Sequence, residues 1–152
     1  MSEERIKSHH MRRIEQFMKL AGQELPASPC IPDVRVRKLR ARLIYEEARE
    51  AIIALGFACP NLSLYEEHPS NLVKIVDGCC DSSVVTIGTL LACGVPDLPF
   101  IKLVDENNLA KFGSGGYRRG DGKWVKPPDH RPPDIAGLLK KYGWEGGVEC
   151  SS

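Results

Sequence analysis

Apolar residues recur every three or four positions through four long stretches of the chain, the period of an amphipathic α-helix. The pattern predicts a first helix over residues 4–21 and a second that is capped by Asp33 and ends near Leu55. A third helix is expected over about 71–93 with Ser70 as its cap, and a fourth over about 98–111. A glycine follows each of the first three helices, where the chain must turn away from helical geometry.

The composition changes after the fourth helix. The stretch "FGSGGYRRGDGKWVKPPDHRPP" is rich in glycine, proline and cations and has almost nothing to bury. A last short helix is expected in "PDIAGLLKKYG", and almost no segment alternates with period two. The sequence therefore predicts one all-α domain over residues 1–152. It consists of a four-helix, bundle-like core (about 3–111) and a loop-rich C-terminal tail (112–152) that carries the short final helix.

Charge and cysteine content exclude several classes of protein. The chain has 21 basic and 20 acidic residues, which argues against a dedicated nucleic-acid or membrane-surface binder. It has no run of eighteen apolar residues, and its charged N-terminus lacks the apolar stretch of a signal peptide. The six cysteines include no C-x-x-C pair, so we expect reduced thiols and a cytoplasmic protein without a structural zinc site.

The second predicted helix carries three glutamates in "LIYEEAREAIIAL". At 100° per residue, Glu46 and Glu50 fall on the apolar stripe marked by Leu39 and Leu43, and Glu47 stands at its edge. The pattern predicts carboxylates that point into the protein interior.

The third helix repeats this pattern with two aspartates. Asp77 and Asp81 are spaced i, i+4 and share an apolar stripe with Val73, Val84, Gly88 and Leu91, so the two acidic faces are expected to meet. Several buried carboxylates require a positive partner, and Lys74 and Arg49 look peripheral. Oxygen-only ligands select Mg²⁺ or Mn²⁺ over zinc. The alternative is that the helices are tilted and the acids face solvent.

Three elements in this order resemble the MazG-like all-α nucleoside triphosphate pyrophosphohydrolases, a superfamily that includes dimeric dUTPases and phosphoribosyl-ATP pyrophosphohydrolase. They are "EEARE" at 46–50, "DGCCD" at 77–81 and "NLAK" at 108–111, and the resemblance covers about residues 35–112. It extends through "DGKWVKPPDHRPPDIAGLLKK", as in the compact bacterial and phage members. One position departs from the family pattern: an acid is usual at position 78, where this chain has Gly78.

The resemblance implies hydrolysis of a (deoxy)nucleoside triphosphate to the monophosphate and pyrophosphate, with two or three Mg²⁺ (or Mn²⁺) ions per site. It implies Glu47, Glu50 and Asp81 as the main metal ligands and Asp77 as a further ligand. Glu46 is expected to be a ligand or the general base. It also implies a homodimer or homotetramer in the cytoplasm of a bacterium or a phage-infected host.

Cations for the phosphates are expected from the fourth helix and the tail. Asn108 and Lys111 occupy the N-x-x-K positions one turn apart. Lys126 is a further candidate, with Arg118, Arg119 or Lys123, either as a lid that orders on binding or only as residues that keep a loop soluble. Trp124 and Trp144 either stack on a base or anchor the tail, and anchoring is the favoured interpretation.

The base is the least determined feature. The expected pocket walls are the first helix and the polar loop at 59–71, through residues Ile14, Phe17, Asn61, Ser63, Tyr65 and Asn71. Their polarity favours (d)GTP over dUTP. Phosphoribosyl-ATP remains an alternative substrate, and a helical scaffold that binds metal or nucleotide without turnover is the alternative to an enzyme.

Overall fold

The computed structural model describes residues 6–57, 71–147 and 150. Within these residues the chain is mostly helical, as the apolar period predicted. The helices are α1 (His9–Leu20), α2 (Val34–Ala54), α3 (Leu72–Ala92), α4 (Asp97–Ala110) and α5 (Ile135–Lys141). Two short strands, β1 (Tyr117–Arg118) and β2 (Trp124–Val125), form an antiparallel ribbon between α4 and α5.

The helix ends follow the local sequence signals. The Asp33 side chain accepts hydrogen bonds from the backbone N–H groups of Arg35 and Val36, so the predicted cap of α2 is confirmed. The side chain of Asn71 caps α3 by accepting from the N–H of Lys74, whereas the predicted cap Ser70 lies outside the described residues. Helix α1 begins later than expected because Ser8 caps it and turns the preceding chain away.

The core lies where α1 and α2 pack against α3. Helix α1 contributes three buried residues, which contact Leu91 and Ala92 near the end of α3. These three are Met11, Ile14 and Met18. Helix α2 packs along the whole length of α3 in the opposite direction, since the end of α2 meets the start of α3.

Helix α4 joins this core at one end only. Buried Asp97, 1% exposed, accepts hydrogen bonds from the backbone N–H (2.8 Å) and the hydroxyl of Ser8. This contact ties the start of α4 to the start of α1. Farther along, α4 packs on α5, where the rings of Phe100 and Tyr142 lie 5.8 Å apart. The described chain therefore has a three-helix core from which α4 leads outward.

The tail is more ordered than its composition indicated. Arg119 and Lys123 close the ribbon turn with a backbone hydrogen bond of 2.8 Å. Gly122 adopts a φ of 87° there, which favours glycine. The prediction of a structureless loop missed this ribbon, although the Asp121–Gly122 pair is a hairpin signal.

One pair of cysteines contradicts the expectation of reduced thiols. Cys30 and Cys150 form a disulfide across 120 residues of sequence. Their approach is supported by a backbone hydrogen bond of 3.0 Å from Cys150 to Ile31. Spacing could not reveal the pair, because it joins the loop before α2 to the C-terminal segment. Among the other described cysteines, Cys79 and Cys80 are exposed free thiols.

Helix α3 is long and apolar enough, by length and composition alone, to cross a membrane, and no other helix in the described ranges is. In this structure it is the central helix of the core and contacts both α1 and α2. A core helix of a soluble protein passes the same test, so the expectation of no membrane partner stays a prediction.

Candidate functional site: an acidic edge between two helices

The α2–α3 contact includes a tightly packed pair of small residues. Gly78 is buried, and a Cβ placed on it would lie 3.0 Å from the Cα and the Cβ of Ala51. A side chain at position 78 would therefore push the two helices apart. Position 78 therefore serves helix packing and cannot carry a metal ligand in this arrangement.

The predicted orientation of α2 and of the first half of α3 was wrong by about one residue, whereas Gly88 and Leu91 of the predicted α3 stripe are buried as expected. The buried positions of α2 are Arg40 and Ala54, not the stripe through Leu39, which is exposed. On α3, Val73 is 80% exposed, and the buried positions include Gly78 and several residues after it. Small residues allow closer approach than large aliphatic ones, so the contact centres on them.

This rotation moves the five predicted carboxylates to the open edge of the contact. Glu47 is partly buried, and the other four side chains are exposed: Glu46, Glu50, Asp77 and Asp81. The expectation of carboxylates in the protein interior is therefore wrong, and the alternative that they face solvent is what the structure shows. We call this set the acidic edge.

The other four carboxylates of the acidic edge all act on Glu47. The pKa of Glu47 is raised above its ordinary value, first by partial removal of its carboxyl from water and then by four nearby negative charges. Those charges belong, in decreasing order of effect, to Asp81, Glu50, Glu46 and Asp77. Glu47 thus lies at the centre of a field to which both helices contribute.

Within the described ranges, no three acidic, histidine or cysteine side chains come close enough together to form a ready metal site. Exposed like charges repel and can turn toward solvent, which keeps them apart. Chemically, the acidic edge offers oxygen donors from neighbouring turns, the ligand type that hard divalent cations prefer. Such cations would in turn attract phosphate groups.

A cavity of about 460 Å³ adjoins the acidic edge. It lies between the last turn of α2 and the first turns of α3, with Ile53, Ala54 and Gly78 among its lining residues. Its polar lining residues are Glu50, Asn71, Lys74 and Asp77. Lys74, considered peripheral from sequence, therefore lines the same cavity as two predicted ligands. The position of Lys74 in the sequence, one helical turn before Asp77, could have indicated this.

The two residues of the N-x-x-K pair lie close together, and no described hydrogen bond joins them to the acids. The Lys111 ammonium donates to the side-chain oxygen of Asn108 at 2.5 Å, which confirms that the two share a face. Both lie near the end of α4, which packs on α5 and has no extensive contact with α2 or α3 in the described chain. One copy of the chain does not bring this pair to the acidic edge.

The tail cations are held with the tail on α4. The indole N–H of Trp124 donates to the carbonyl of Lys111 at 2.7 Å, and its ring contacts Phe112 at 4.9 Å. The anchoring interpretation of Trp124 is thus confirmed. Arg119 pairs with Asp121 inside the ribbon turn. The lid roles of Lys126, Arg118 and Lys123, all exposed, stay a prediction.

The predicted base pocket is only partly described. Ile14 is buried in the core between α1 and α3, so it is not a pocket wall. Phe17 is exposed, and Asn71 lines the cavity beside the acidic edge. The remaining predicted walls lie outside the described residues: Asn61, Ser63 and Tyr65.

Comparison with known proteins adds no assignment. A scan against protein-family models finds no match to this chain. No curated protein is significantly similar to it.

Proposed function

We propose that this protein is a MazG-like nucleoside triphosphate pyrophosphohydrolase that depends on Mg²⁺ or Mn²⁺. The observation that carries the proposal is that two packed helices place five carboxylates along one edge of their contact. Partial burial and then the other four charges raise the pKa of Glu47 there. A purely structural surface has no reason to gather five like charges, since each repels the others. A divalent cation removes that repulsion, which is why such a set favours a metal site.

The roles of the side chains follow from ordinary ligand chemistry. Glu47, Glu50 and Asp81 are the main ligands in the proposal, Asp77 is a further ligand, and Glu46 is a ligand or the general base. Two or three bound Mg²⁺ ions would neutralise phosphate charge and lower the pKa of an attacking water. Because Asp77 and Glu50 also line the adjoining cavity, the reacting phosphates would lie at the cavity mouth.

The substrate is a (deoxy)nucleoside triphosphate, with (d)GTP preferred. The cavity has a polar lining, above all Asn71 and Lys74. Such a lining favours a base that needs hydrogen-bond partners, as guanine does, over uracil, for which the pocket would need only to exclude a methyl group. dUTP and phosphoribosyl-ATP are the alternative substrates, and the products distinguish all three.

We further propose a homodimer or homotetramer. Large apolar side chains are exposed on α3 and α4, including Leu72 at 75%. The others on these two helices are Val73, Val76, Leu98, Ile101 and Leu109. A second copy would cover this surface. A second copy would also bring Asn108 and Lys111 close to the carboxylates, which a single copy does not do. Sedimentation of a monomer at micromolar concentration would contradict this.

Product analysis tests the function directly. The protein is incubated with each (d)NTP and Mg²⁺, and monophosphate, diphosphate, pyrophosphate and phosphate are resolved. We expect monophosphate and pyrophosphate in equal amounts, activity abolished by EDTA, and faster loss of dGTP than of dUTP in a mixture. Failure to convert any nucleotide with either Mg²⁺ or Mn²⁺ would favour the scaffold alternative.

A further inference from the structure

We propose that the cavity beside the acidic edge binds the nucleoside half of the substrate, and that Asn71 and Lys74 select a base with two adjacent acceptor atoms. The proposal rests on the proposed function, since it identifies the half of a nucleotide that the acids do not bind. It adds a specificity role for Lys74, which no sequence pattern assigns.

The size and lining of the cavity suit a nucleoside. Its volume of about 460 Å³ falls within the usual range of small-molecule sites, roughly 300–1,000 Å³. Ile53, Ala54 and Gly78 supply small or apolar surface. An apolar wall with a few polar groups beside it is typical of small-molecule sites.

The direction of binding follows from two shared residues. Glu50 and Asp77 line the cavity and also belong to the acidic edge. Asn71 lies at the opposite, outer end, since it precedes α3 and Asp77 is more than one turn into that helix. A nucleotide with its phosphates at the acids therefore extends its base toward Asn71 and Lys74.

The hydrogen-bonding capacity of these two side chains is one-sided. The side-chain oxygen of Asn71 accepts from the backbone N–H of Lys74 at 3.1 Å, so the amide NH₂ is the group left to face the cavity. The Lys74 ammonium is also only a donor. Two donors match the O6 and N7 acceptors of guanine, whereas adenine offers N7 beside its N6 donor.

Equilibrium binding tests this without requiring turnover. The full chain is titrated with dGMP and with dAMP in Mg²⁺ by calorimetry, using wild type, Lys74→Met, Lys74→Arg and the control Lys102→Met. Lys102 is an exposed helical lysine on α4, away from the cavity. We expect wild type to prefer dGMP and Lys74→Met to weaken dGMP about tenfold, the value of one charged hydrogen bond. We expect Lys74→Met to bind dAMP within twofold of wild type. The affinity for dGMP should recover in part in Lys74→Arg and be unchanged in Lys102→Met.

Several outcomes would overturn the inference. Equal losses for dGMP and dAMP would place Lys74 on the phosphate, and unchanged affinities in Lys74→Met would remove it from the site. If wild type bound neither nucleotide, the cavity would not be a nucleoside site. Turnover is measured separately. If the protein converts nucleotide but binds it independently of Lys74, the proposed function stands and this inference fails. If binding is guanine-selective and depends on Lys74 but no turnover occurs, only the proposed catalysis is overturned.

Discussion

The two ends of the α2–α3 contact differ in where their charged side chains lie. One end buries a cation, and the other carries carboxylates at its open edge. Near the start of α2, Arg40 is only 6% exposed and lies against Gly88, where an added Cβ would overlap its guanidinium group. Its Nε donates to the Thr89 hydroxyl at 3.2 Å, and a terminal nitrogen donates to the Val85 carbonyl at 2.9 Å. Near the end of α2, five carboxylates stand at the surface, and no described hydrogen bond pairs them with a cation.

Under the proposed function, this difference separates charge that serves the fold from charge that serves a ligand. Burial lowers the pKa of Arg40, and the hydrogen bonds across the helix pair offset part of the cost of removing it from water. The acidic edge has the reverse character, because its charges raise the pKa of Glu47 and oppose close packing. Substitutions at the two ends should therefore have different readouts.

The largest expected effect is on turnover at the acidic end. Glu50→Gln and Asp81→Asn should each lower turnover of the preferred nucleotide by at least about a hundredfold, because each removes charge that would hold metal. Steady-state release of pyrophosphate measures the effect. Matched controls on α4 are Glu106→Gln and Asp105→Asn, both exposed and outside the acidic edge, and they should retain wild-type rates.

Neither Glu50→Gln nor Asp81→Asn should reduce stability when metal is chelated, since each relieves repulsion between like charges. Thermal melts in EDTA should show equal or higher midpoints than wild type. A clear drop would mean that these acids serve the fold, and the contrast between the two ends would fail.

At the opposite end, Arg40→Ala should destabilise the protein by about 2–4 kcal/mol, since it removes a buried side chain and its hydrogen bonds. Arg40→Met keeps most of the volume without the charge and should lie within about 1.5 kcal/mol of wild type. Urea unfolding measures both. If Arg40→Met abolished nucleotide turnover while the protein stayed folded, the cation would have a functional role.

A smaller effect on stability is expected where Gly78 packs against Ala51. Gly78→Ala should cost about 1–3 kcal/mol, because its Cβ would lie 3.0 Å from the Ala51 backbone and α2 would have to shift. Gly120→Ala is the control, as a Cβ there meets nothing within 4 Å. Equal stability of the two variants in urea would show that the helices can separate without penalty.

Sequence reasoning succeeded where the signal is local. Asp33 fixed the start of α2 because an N-cap acts on the next three residues, and glycine marked the turns. Orientation failed because it depends on which residues permit close approach, and two small residues outweighed a longer row of aliphatic ones. The Cys30–Cys150 disulfide could not be predicted either, since its partners meet only after the whole chain has folded.

The candidate site was predicted by residue type and missed in geometry. Periodicity selected the same five carboxylates that now share one field, yet it assigned them to the interior. Lys74 was overlooked because a cation beside two acids looks like an ordinary surface pair until a cavity is seen between the helices. The proposed approach of α4 to the acids requires a second copy of the chain, and periodicity within one chain does not encode assembly.

The smallest expected effect concerns Glu47 and pH. The folded pKa of Glu47 is raised above 4.5, so the folded state binds its proton more tightly than the unfolded chain does. Stability should therefore fall as pH rises through 4.5 and the raised folded value, and Glu47→Gln should remove that loss. In EDTA, the variant should melt above wild type at pH 7 and match it below about pH 4, where Glu47 is protonated in both states. Added 0.5 M NaCl should narrow the difference at pH 7, because salt screens the four neighbouring charges. A gain that persisted unchanged at pH 3.5 would show that packing, and not the shared negative field, sets the contribution of Glu47.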